Sequence, residues 1–346
     1  MKLSPPSMSR PSTTAVHGGG SQRAETSSSQ VKTSSGIAIP GPRIGEMVES
    51  VQGRRNINRN VRVSSRTLRD PGSSGTPAHC KNDASARVDT RRMNNPTDSA
   101  QDVLKSKVAL VTGVGRAQGL GIAVARELAV RGHQVIVTGR DLSRTELLAD
   151  LLAAEGLSVC ATQLDVTDPV GIAKSVEFVR DKFGTLDVLI NNAAGGFDID
   201  QSLLTADMAR ARDAIEVNFF GPWHTCAAFA PLLCESGHGR IVNVSSAAGS
   251  FADGLSDPWI GGLLPGYSLS KSALNALTVK LASAFARTGV LVNAVCPGET
   301  ATHPETGDED NARSPQESAK GVVWAATLGS DGPTGGFFRD GVALPW

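Results

Sequence analysis

The stretch Lys107-Val-Ala-Leu-Val-Thr112-Gly113-Val-Gly115-Arg116-Ala-Gln-Gly119-Leu120-Gly121 decides how the rest of the chain is read. A short apolar run rich in β-formers ends in a glycine-rich turn. A helical pattern follows, Ile122-Ala-Val-Ala-Arg-Glu-Leu-Ala-Val-Arg131, with Gly132 as its stop. A second apolar run, Gln134-Val-Ile-Val-Thr138, comes next. Strand, glycine turn, helix and strand make a βαβ unit. In such a unit the backbone N–H groups at the helix N-terminus cradle the pyrophosphate of a dinucleotide. A glycine motif alone is a weak signal; its place between a strand and a helix is what gives it weight.

The alternation continues down the chain. A helix over about 142–155 precedes a strand over 157–164 that ends at Asp165-Val166. A helix over 169–183 precedes the strand Leu186-Asp-Val-Leu-Ile190, which ends in Asn191-Asn192-Ala193. A long helix over about 206–235 precedes Arg240-Ile-Val-Asn-Val244 and then Ser245-Ser246. A last strand, Val290-Leu-Val-Asn-Ala-Val295, ends in Cys296-Pro297-Gly298. The polar and glycine-bearing stretches fall after the strands. In an open parallel sheet ligands bind outside the carboxyl ends of the strands, so six strand ends converge on one crevice. The expected fold is α/β, a doubly wound Rossmann sheet that is mostly parallel, in a single domain over residues 104–346.

One of those ends faces Gly266-Tyr267-Ser268-Leu269-Ser270-Lys271, and Tyr267 is the only tyrosine in the chain. The residues from Ser272 to Phe285 repeat apolar positions at helical spacing. Positions i and i+4 share a helix face, so the Tyr267 hydroxyl and the Lys271 ammonium can point at one place. A nearby cation favours a phenolate and is expected to lower the Tyr267 pKa, making an acid for proton transfer. A core tyrosine with a solvated lysine one turn on is the plain alternative, and the convergence of strand ends argues against it.

Charge is distributed unevenly. Residues 1–100 hold 15 Lys+Arg against 7 Asp+Glu, a net of +8, and the total is +0, so the remainder carries a net of −8. Residues 1–103 are rich in Ser, Arg, Pro and Gly, with few large apolar residues. Such a segment buries too little surface to offset its ordering entropy and is expected to be a disordered basic tail. Its composition resembles an organelle transit peptide, but Gly18-Gly19-Gly20 and scattered prolines break any amphipathic helix. Its arginine pairs lack the interleaved aromatics of a nucleic-acid surface, so nucleic acid is not an expected partner. The five cysteines have no C-x-x-C spacing, which speaks against a disulfide framework and a zinc site, and no metal is expected. No apolar run reaches membrane-helix length and there is no secretory h-region, so a cytoplasmic location is expected.

From about Lys107 to Trp346 the chain resembles a short-chain dehydrogenase/reductase of the carbonyl-reductase-like kind. The matches are Thr112-Gly113 with Gly119 and Gly121, Leu164-Asp165-Val166, Asn191-Asn192-Ala193, Asn218, Ser246-Ala-Ala-Gly249, Tyr267 with Lys271, and Pro297-Gly298 with Thr302. The resemblance implies a nicotinamide cofactor held by Thr112, Gly113, Gly115, Arg116, Gly119, Leu120, Gly121, Arg140, Asp165, Val166, Asn192, Ala193, Tyr267, Lys271, Pro297, Gly298 and Thr302. It implies that Ser246 polarises a substrate carbonyl and Tyr267 gives the proton. Lys271 would hold the nicotinamide ribose and lower the Tyr267 pKa, and Asn218 would keep a water for a proton relay. Ser246 is preferred to Ser245 because it begins the S-x-x-G spacing. A homo-oligomer, dimer or tetramer, formed through the Tyr-bearing helix is also implied.

Two departures from the family pattern stand out. Five residues, not three, separate Gly113 from Gly119, so the loop must bulge. The gap from Ser246 to Tyr267 is longer than usual, and the extra piece around Trp259 would lie beside the substrate, as would the segment from Gly298 to Ser314 with Glu299, His303 and Glu305. Cofactor choice is read after the second strand, where an acid selects NAD and a base selects NADP. Arg140 there, with Arg116 in the loop, favours NADP(H) over NAD(H), because a guanidinium matches phosphate with paired hydrogen bonds. Asp141 is the competing residue. The expected activity is NADPH-dependent reduction of a ketone or aldehyde to an alcohol, or the reverse. A non-catalytic NADP-binding regulator, double-bond reduction and epimerisation are the alternatives.

A chain starting at Met93 keeps every motif named above and has the size of a single domain. It is expected to fold, bind the dinucleotide and turn over as fast as the full chain, because a polar segment with few apolar anchors contributes little buried area. Melting temperature and turnover of both forms at low and high salt check this. A basic tail clamped on the acidic domain would instead make the long form alone salt-dependent.

Overall fold

A computed structural model describes residues 106–257, 261–303 and 312–346. The basic tail, Trp259 and Glu305 lie outside the described residues. The strands are β1 (Val108–Val111), β2 (Gln134–Gly139), β3 (Val159–Gln163), β4 (Val188–Asn191), β5 (Arg240–Val244), β6 (Leu291–Val295), β7 (Phe337–Arg339) and β8 (Val342–Ala343). They form one sheet in the order β3-β2-β1-β4-β5-β6-β7-β8. Every neighbouring pair is parallel except β7 and β8. The order reverses between β1 and β4, which is the crevice-forming switch of a doubly wound sheet.

The helices are α1 (Leu120–Val130), α2 (Leu142–Ala154), α3 (Pro169–Phe183), α4 (Met208–Ile215), α5 (Gly221–Glu235), α6 (Pro265–Ala284) and α7 (Pro315–Ala326). Period-two alternation on the strands feeds two cores. Ala109 and Val111 of β1 pack with Val124 and Leu128 of α1, Leu152 of α2 and Val322 of α7. Val108 and Leu110 point the other way, onto Val179 of α3, Phe229 and Leu232 of α5 and Ala282 of α6. Both faces are covered, as nearly continuous apolar strands require. Each buried Leu, Val or Phe contributes roughly 1.5–3 kcal/mol of transfer free energy.

Local signals place the helix starts. Asp141, Asp168, Asp207 and Ser314 each accept a hydrogen bond from a first-turn N–H of the helix that follows. Pro at the first turn opens α3, α6 and α7. The expected boundaries hold closely for the six strands and for α1, α2 and α3. Two points differ and one extends the expectation. The helix expected over about 206–235 is broken by a π-turn at Glu216–Phe220, between α4 and α5. Helix α6 begins at Pro265, ahead of the periodic run from Ser272, and it carries Tyr267 and Lys271 on one helix as expected. Finally, α7, β7 and β8 were not anticipated, although Ser314-Pro315-Gln-Glu317 carries the spacing of a helix start.

A buried polar ladder fixes the central register. Asn191 and Asn243 stand opposite each other on β4 and β5, and Asn191 Nδ2 donates to Asn243 Oδ1 at 2.8 Å. Asn243 Nδ2 in turn donates to Thr278 Oγ1 of α6 at 2.9 Å. Buried polar groups tolerate few alternative partners, so this chain of bonds sets where α6 lies along β5.

Candidate active site

Thr112, at the end of β1, joins the two strands that flank the switch. Its hydroxyl donates to the Ile190 carbonyl at 3.2 Å and accepts from the N–H groups of Asn192 and Ala193, each at 3.0 Å. Asn192 answers with its Nδ2 on the Thr112 carbonyl at 2.8 Å. The glycines beside it serve close approach. Gly113 has φ +72°, and a Cβ there would lie 2.5 Å from Ala193 Cα. A Cβ at Gly121 would lie 2.7 Å from Asn192 Nδ2. Thr112, Gly113, Gly121, Asn192 and Ala193 are therefore brought together.

The expected bulge in the glycine loop is a turn in which the Gly119 N–H donates to the Arg116 carbonyl at 3.1 Å. Val114 on its near side stays pinned, its N–H on the Thr138 carbonyl at 2.8 Å, so the two extra residues are absorbed in the turn itself. Helix α1 then starts at Leu120, with Gly119 as an N-cap that offers no side-chain bond and with no acid in its first turn. Its orphan N–H groups and the positive end of its dipole suit an anion. Leu120 is buried in the core, while a Cβ on Gly115 would meet nothing within 4 Å, so the loop keeps one open side. These features fit the phosphates of a dinucleotide.

At the end of β2, Arg140 is exposed and its side chain makes no ion pair among the described residues. Asp141 is spent as the cap of α2, its carboxylate on the Arg144 N–H at 3.1 Å. The acid that competed with Arg140 is thus turned into the helix. After β3, Asp165 Oδ1 accepts from Thr167 N–H and hydroxyl at 3.0 and 2.8 Å, and Val166 is buried where Gly221 passes. After β6, Pro297 and Gly298 form a turn braced by Arg313, whose Nη1 donates to the Pro297 carbonyl at 3.3 Å. Arg313 is itself held by the Asp340 carboxylate at 2.8 Å. Thr302 lies beyond the turn, its hydroxyl 2.9 Å from His303 Nδ1.

Ser246, Tyr267 and Lys271 meet where β5 and β6 end. Ser245 is used by the core, donating to Asn275 Oδ1 at 2.6 Å. Ser246 faces the other way, within hydrogen-bonding reach of the Tyr267 phenol, and also accepts the Ala248 N–H at 3.2 Å. Lys271 is 2% exposed and its Nζ donates to the Val244 carbonyl at 2.8 Å, lying 5.5 Å from the Tyr267 ring centre. Gly249 allows this approach, since a Cβ there would sit 2.7 Å from Lys271. Cys296, at the end of β6, accepts from Ala247 N–H at 3.3 Å and Arg339 Nη2 at 3.1 Å.

The electrostatics differ from the expectation that Lys271 lowers the Tyr267 pKa. Burial pushes the Tyr267 phenol up to about 12, and the Ser246 hydrogen bond only partly opposes it. Burial also pushes the Lys271 ammonium down to about 8. The reason is that α6 carries both groups into the sheet edge, where loss of water disfavours either charge. For Asn218 the resemblance implies a water-holding role, and the structure shows a side chain bonded on several sides. Fully buried in the π-turn, it gives both amide protons to the Gly195 carbonyl and Ser270 Oγ, at 2.9 and 3.0 Å. Its Oδ1 accepts the Gly195 N–H at 3.0 Å and keeps capacity for one further donor. Two residues had no signal in the sequence: Asp198, whose carboxylate caps α6, and Phe197, whose ring stacks on Tyr267.

Comparison with known proteins agrees with this architecture. The sequence pattern described as short chain dehydrogenase matches residues 107–312. The chain is 32% identical to (+)-neomenthol dehydrogenase of Arabidopsis thaliana over 67% of its own length and 95% of that protein's. It is 31% identical to carbonyl reductase (NADPH) 1 of Sus scrofa, over 70% and 94%. Among solved structures, a metagenomic short-chain oxidoreductase in complex with NADP superposes with a TM-score of 0.56 at 29% identity, covering 69% of this chain and 99% of that one. An actinorhodin polyketide ketoreductase variant with NADPH does so with a TM-score of 0.58 at 26% identity, covering 68% and 95%. The chain belongs to the short-chain dehydrogenase family of oxidoreductases.

Proposed function

We propose that the chain reduces a ketone or aldehyde to an alcohol with NADPH, or runs the reverse reaction. The observation that carries this reading is the group formed by half-buried Ser246 with buried Tyr267 and Lys271 at the carboxyl edge of the parallel sheet. Bound there, the dinucleotide supplies or accepts the hydride. The glycine loop and the N-terminus of α1 would hold its phosphates. Asp165, Val166, Asn192, Ala193, Pro297, Gly298 and Thr302 would line its path across the strand ends.

The chain's own groups handle the proton. Ser246 polarises the substrate carbonyl with its hydroxyl. Tyr267, kept protonated by burial, donates to the oxygen as negative charge develops there. Lys271 holds the ribose with donors left over from its single bond to Val244. Asn218 accepts a proton-relay water on its remaining lone pair. The similarity to a carbonyl reductase and to a dehydrogenase supports a carbonyl or alcohol substrate. Arg140, with Asp141 turned away, supports NADP(H) over NAD(H). Among the described residues no helix is long and apolar enough to cross a membrane. A homodimer or tetramer through α5 and α6 is part of the proposal, since Trp223, Leu269 and Val279 are exposed there.

Following NADPH absorbance with a panel of ketones, quinones, ketosteroids and sugars tests the activity. Tyr267→Phe is expected to keep NADPH binding and to lower turnover by ~10²–10⁴, the usual worth of a positioned acid. Near-normal turnover in that variant, where chemistry limits the rate, removes Tyr267 from the role.

Arg140→Asp is expected to weaken NADPH far more than NADH. Fluorescence titration of both cofactors on wild type and variant measures the ratio of affinities, and an unchanged ratio removes Arg140 from the phosphate site.

A pH effect follows from Lys271. Its folded pKa of about 8 lies below its ordinary 10.5. Between those values the unfolded chain binds the proton and the folded chain does not, so this group's contribution to stability rises with pH. That contribution is present above 10.5 and is lost as pH falls through 8. The stability difference between wild type and Lys271→Met, read from urea midpoints, is therefore expected to move in favour of wild type over this window. A flat difference would mean that the ammonium is not perturbed by burial.

A further inference from the structure

The tyrosine at the centre of the site is gripped by a segment outside the family motifs. After β4 the chain runs Gly195-Gly196-Phe197-Asp198. Gly195 is held through both its N–H and its carbonyl by Asn218. Gly196 has φ +71°, and a Cβ on it would fall 2.4 Å from Ala214 Cβ, so only glycine lets the chain pass this close to α4. Arg210 of α4 then takes the Asp200 carboxylate at 2.9 and 3.0 Å and the Phe197 carbonyl at 3.4 Å. The segment is pinned on both sides of its contact with Tyr267.

The contact has two parts. The Phe197 ring stacks on the Tyr267 ring, with centroids 4.3 Å apart and planes 25° from parallel. Asp198, 1% exposed, accepts the Gly266 N–H at 2.7 Å and the Tyr267 N–H at 3.2 Å. Helix α6 has no side-chain cap from its own N-cap residue. That residue is Leu264, with φ 53°. A non-glycine residue in that region costs roughly 1–3 kcal/mol and persists only where its surroundings hold it. Asp198 sits where they would have to act. An anion at a helix N-terminus also meets the favourable end of the dipole, and charged hydrogen bonds to N–H groups are stronger than neutral ones. From below, Ser270 Oγ donates to the Tyr267 carbonyl at 2.7 Å and accepts from Asn218. The amide, the ring and the carbonyl of Tyr267 are thus each held by a different residue.

We propose that Phe197 and Asp198 are positioning residues that aim the Tyr267 phenol at Ser246, so that the segment after β4 sets the efficiency of proton donation. This rests on Tyr267 being the proton donor. The competing account is an ordinary helix cap with an incidental ring contact, which would affect stability alone.

Tyr267 is the only tyrosine, so protein made with a fluorotyrosine gives one fluorine resonance, and that resonance reports the ring without substrate or cofactor. Phe197→Ala and Asp198→Asn are expected to shift and broaden it. They are also expected to lower kcat roughly ten- to a hundredfold, the scale of a small misplacement of a reacting group, with cofactor Kd unchanged. Phe197→Trp, which keeps a stacking ring, is expected to restore sharpness and turnover. In a Tyr267→Phe background neither Phe197→Ala nor Asp198→Asn is expected to lower the residual rate further, because the group they position is gone. An unmoved resonance, or an equal loss of rate in both backgrounds, overturns the proposal. Should Asp198→Asn fail to fold, the Phe197 pair decides, since that side chain is 60% exposed and its loss leaves the core intact. A wild type without carbonyl reductase activity would sink the proposed reaction, while the resonance would still tell whether the grip exists.

Discussion

Lys271 is buried and donates to the Val244 carbonyl at 2.8 Å. Taking an ammonium out of water costs several kcal/mol even after relaxation, and one neutral hydrogen bond does not offset that. The cost is met by the packing of α6, whose inner face carries Leu274, Leu277 and Thr278 into the sheet. Where α6 goes, Tyr267 goes too, one turn earlier on the same face. The position of the phenol beside Ser246 is therefore a consequence of where a costly cation is anchored. The two share one rigid helix, so neither can move alone.

The other half of the site depends on the same logic applied to strand ends. Thr112 uses one hydroxyl to join Ile190, Asn192 and Ala193, and Gly113 lets those segments touch. At the carboxyl ends of β1 and β4 the segments are joined by neutral hydrogen bonds. The α1 N-terminus and Arg140 stand beside that frame, where the proposed dinucleotide phosphates would lie. Helix caps do related work: Asp141 is committed to α2, which leaves Arg140 as the charged side chain facing out at the end of β2.

The β1-to-β2 unit, the strand alternation and the Tyr267-Lys271 spacing were legible because each is local: glycines between strand and helix, period-two apolar runs, and i, i+4 on a helix. The preference for Ser246 over Ser245 rests on spacing, and in the fold Ser245 is engaged by Asn275. What was not legible is what depends on distant chain. The direction of the Tyr267 pKa shift depends on how deeply α6 is buried, which no i+4 rule contains. The π-turn at Asn218 has helical sequence on both sides. Asp198 reads as one polar residue in a glycine-containing loop; it becomes a helix cap only because Gly196 and Gly266 let that loop reach the start of α6.

The opposed shifts of Tyr267 and Lys271 bear on how the acid works. Near neutral pH a phenol pushed to about 12 is fully protonated, and an ammonium pushed to about 8 is still mostly charged. The protein alone thus stores a proton on Tyr267 and a positive charge on Lys271. A stored proton is useful only if the phenol releases it when charge appears on the substrate oxygen. In a dry site the field of a fixed cation is stronger than in water, and in the proposed reaction Lys271, 5.5 Å from the ring, would act on negative charge as it forms on the phenol. The neighbouring Ser246 hydroxyl adds a hydrogen bond to the same oxygen. Burial therefore raises the resting pKa of Tyr267, and in the proposed reaction the same dry surroundings would strengthen the groups beside its oxygen. That arrangement works only while the phenol keeps its direction. A ring free to rotate would lose the Ser246 contact first, and the tight grip on Tyr267 by Phe197, Asp198 and Ser270 prevents that rotation.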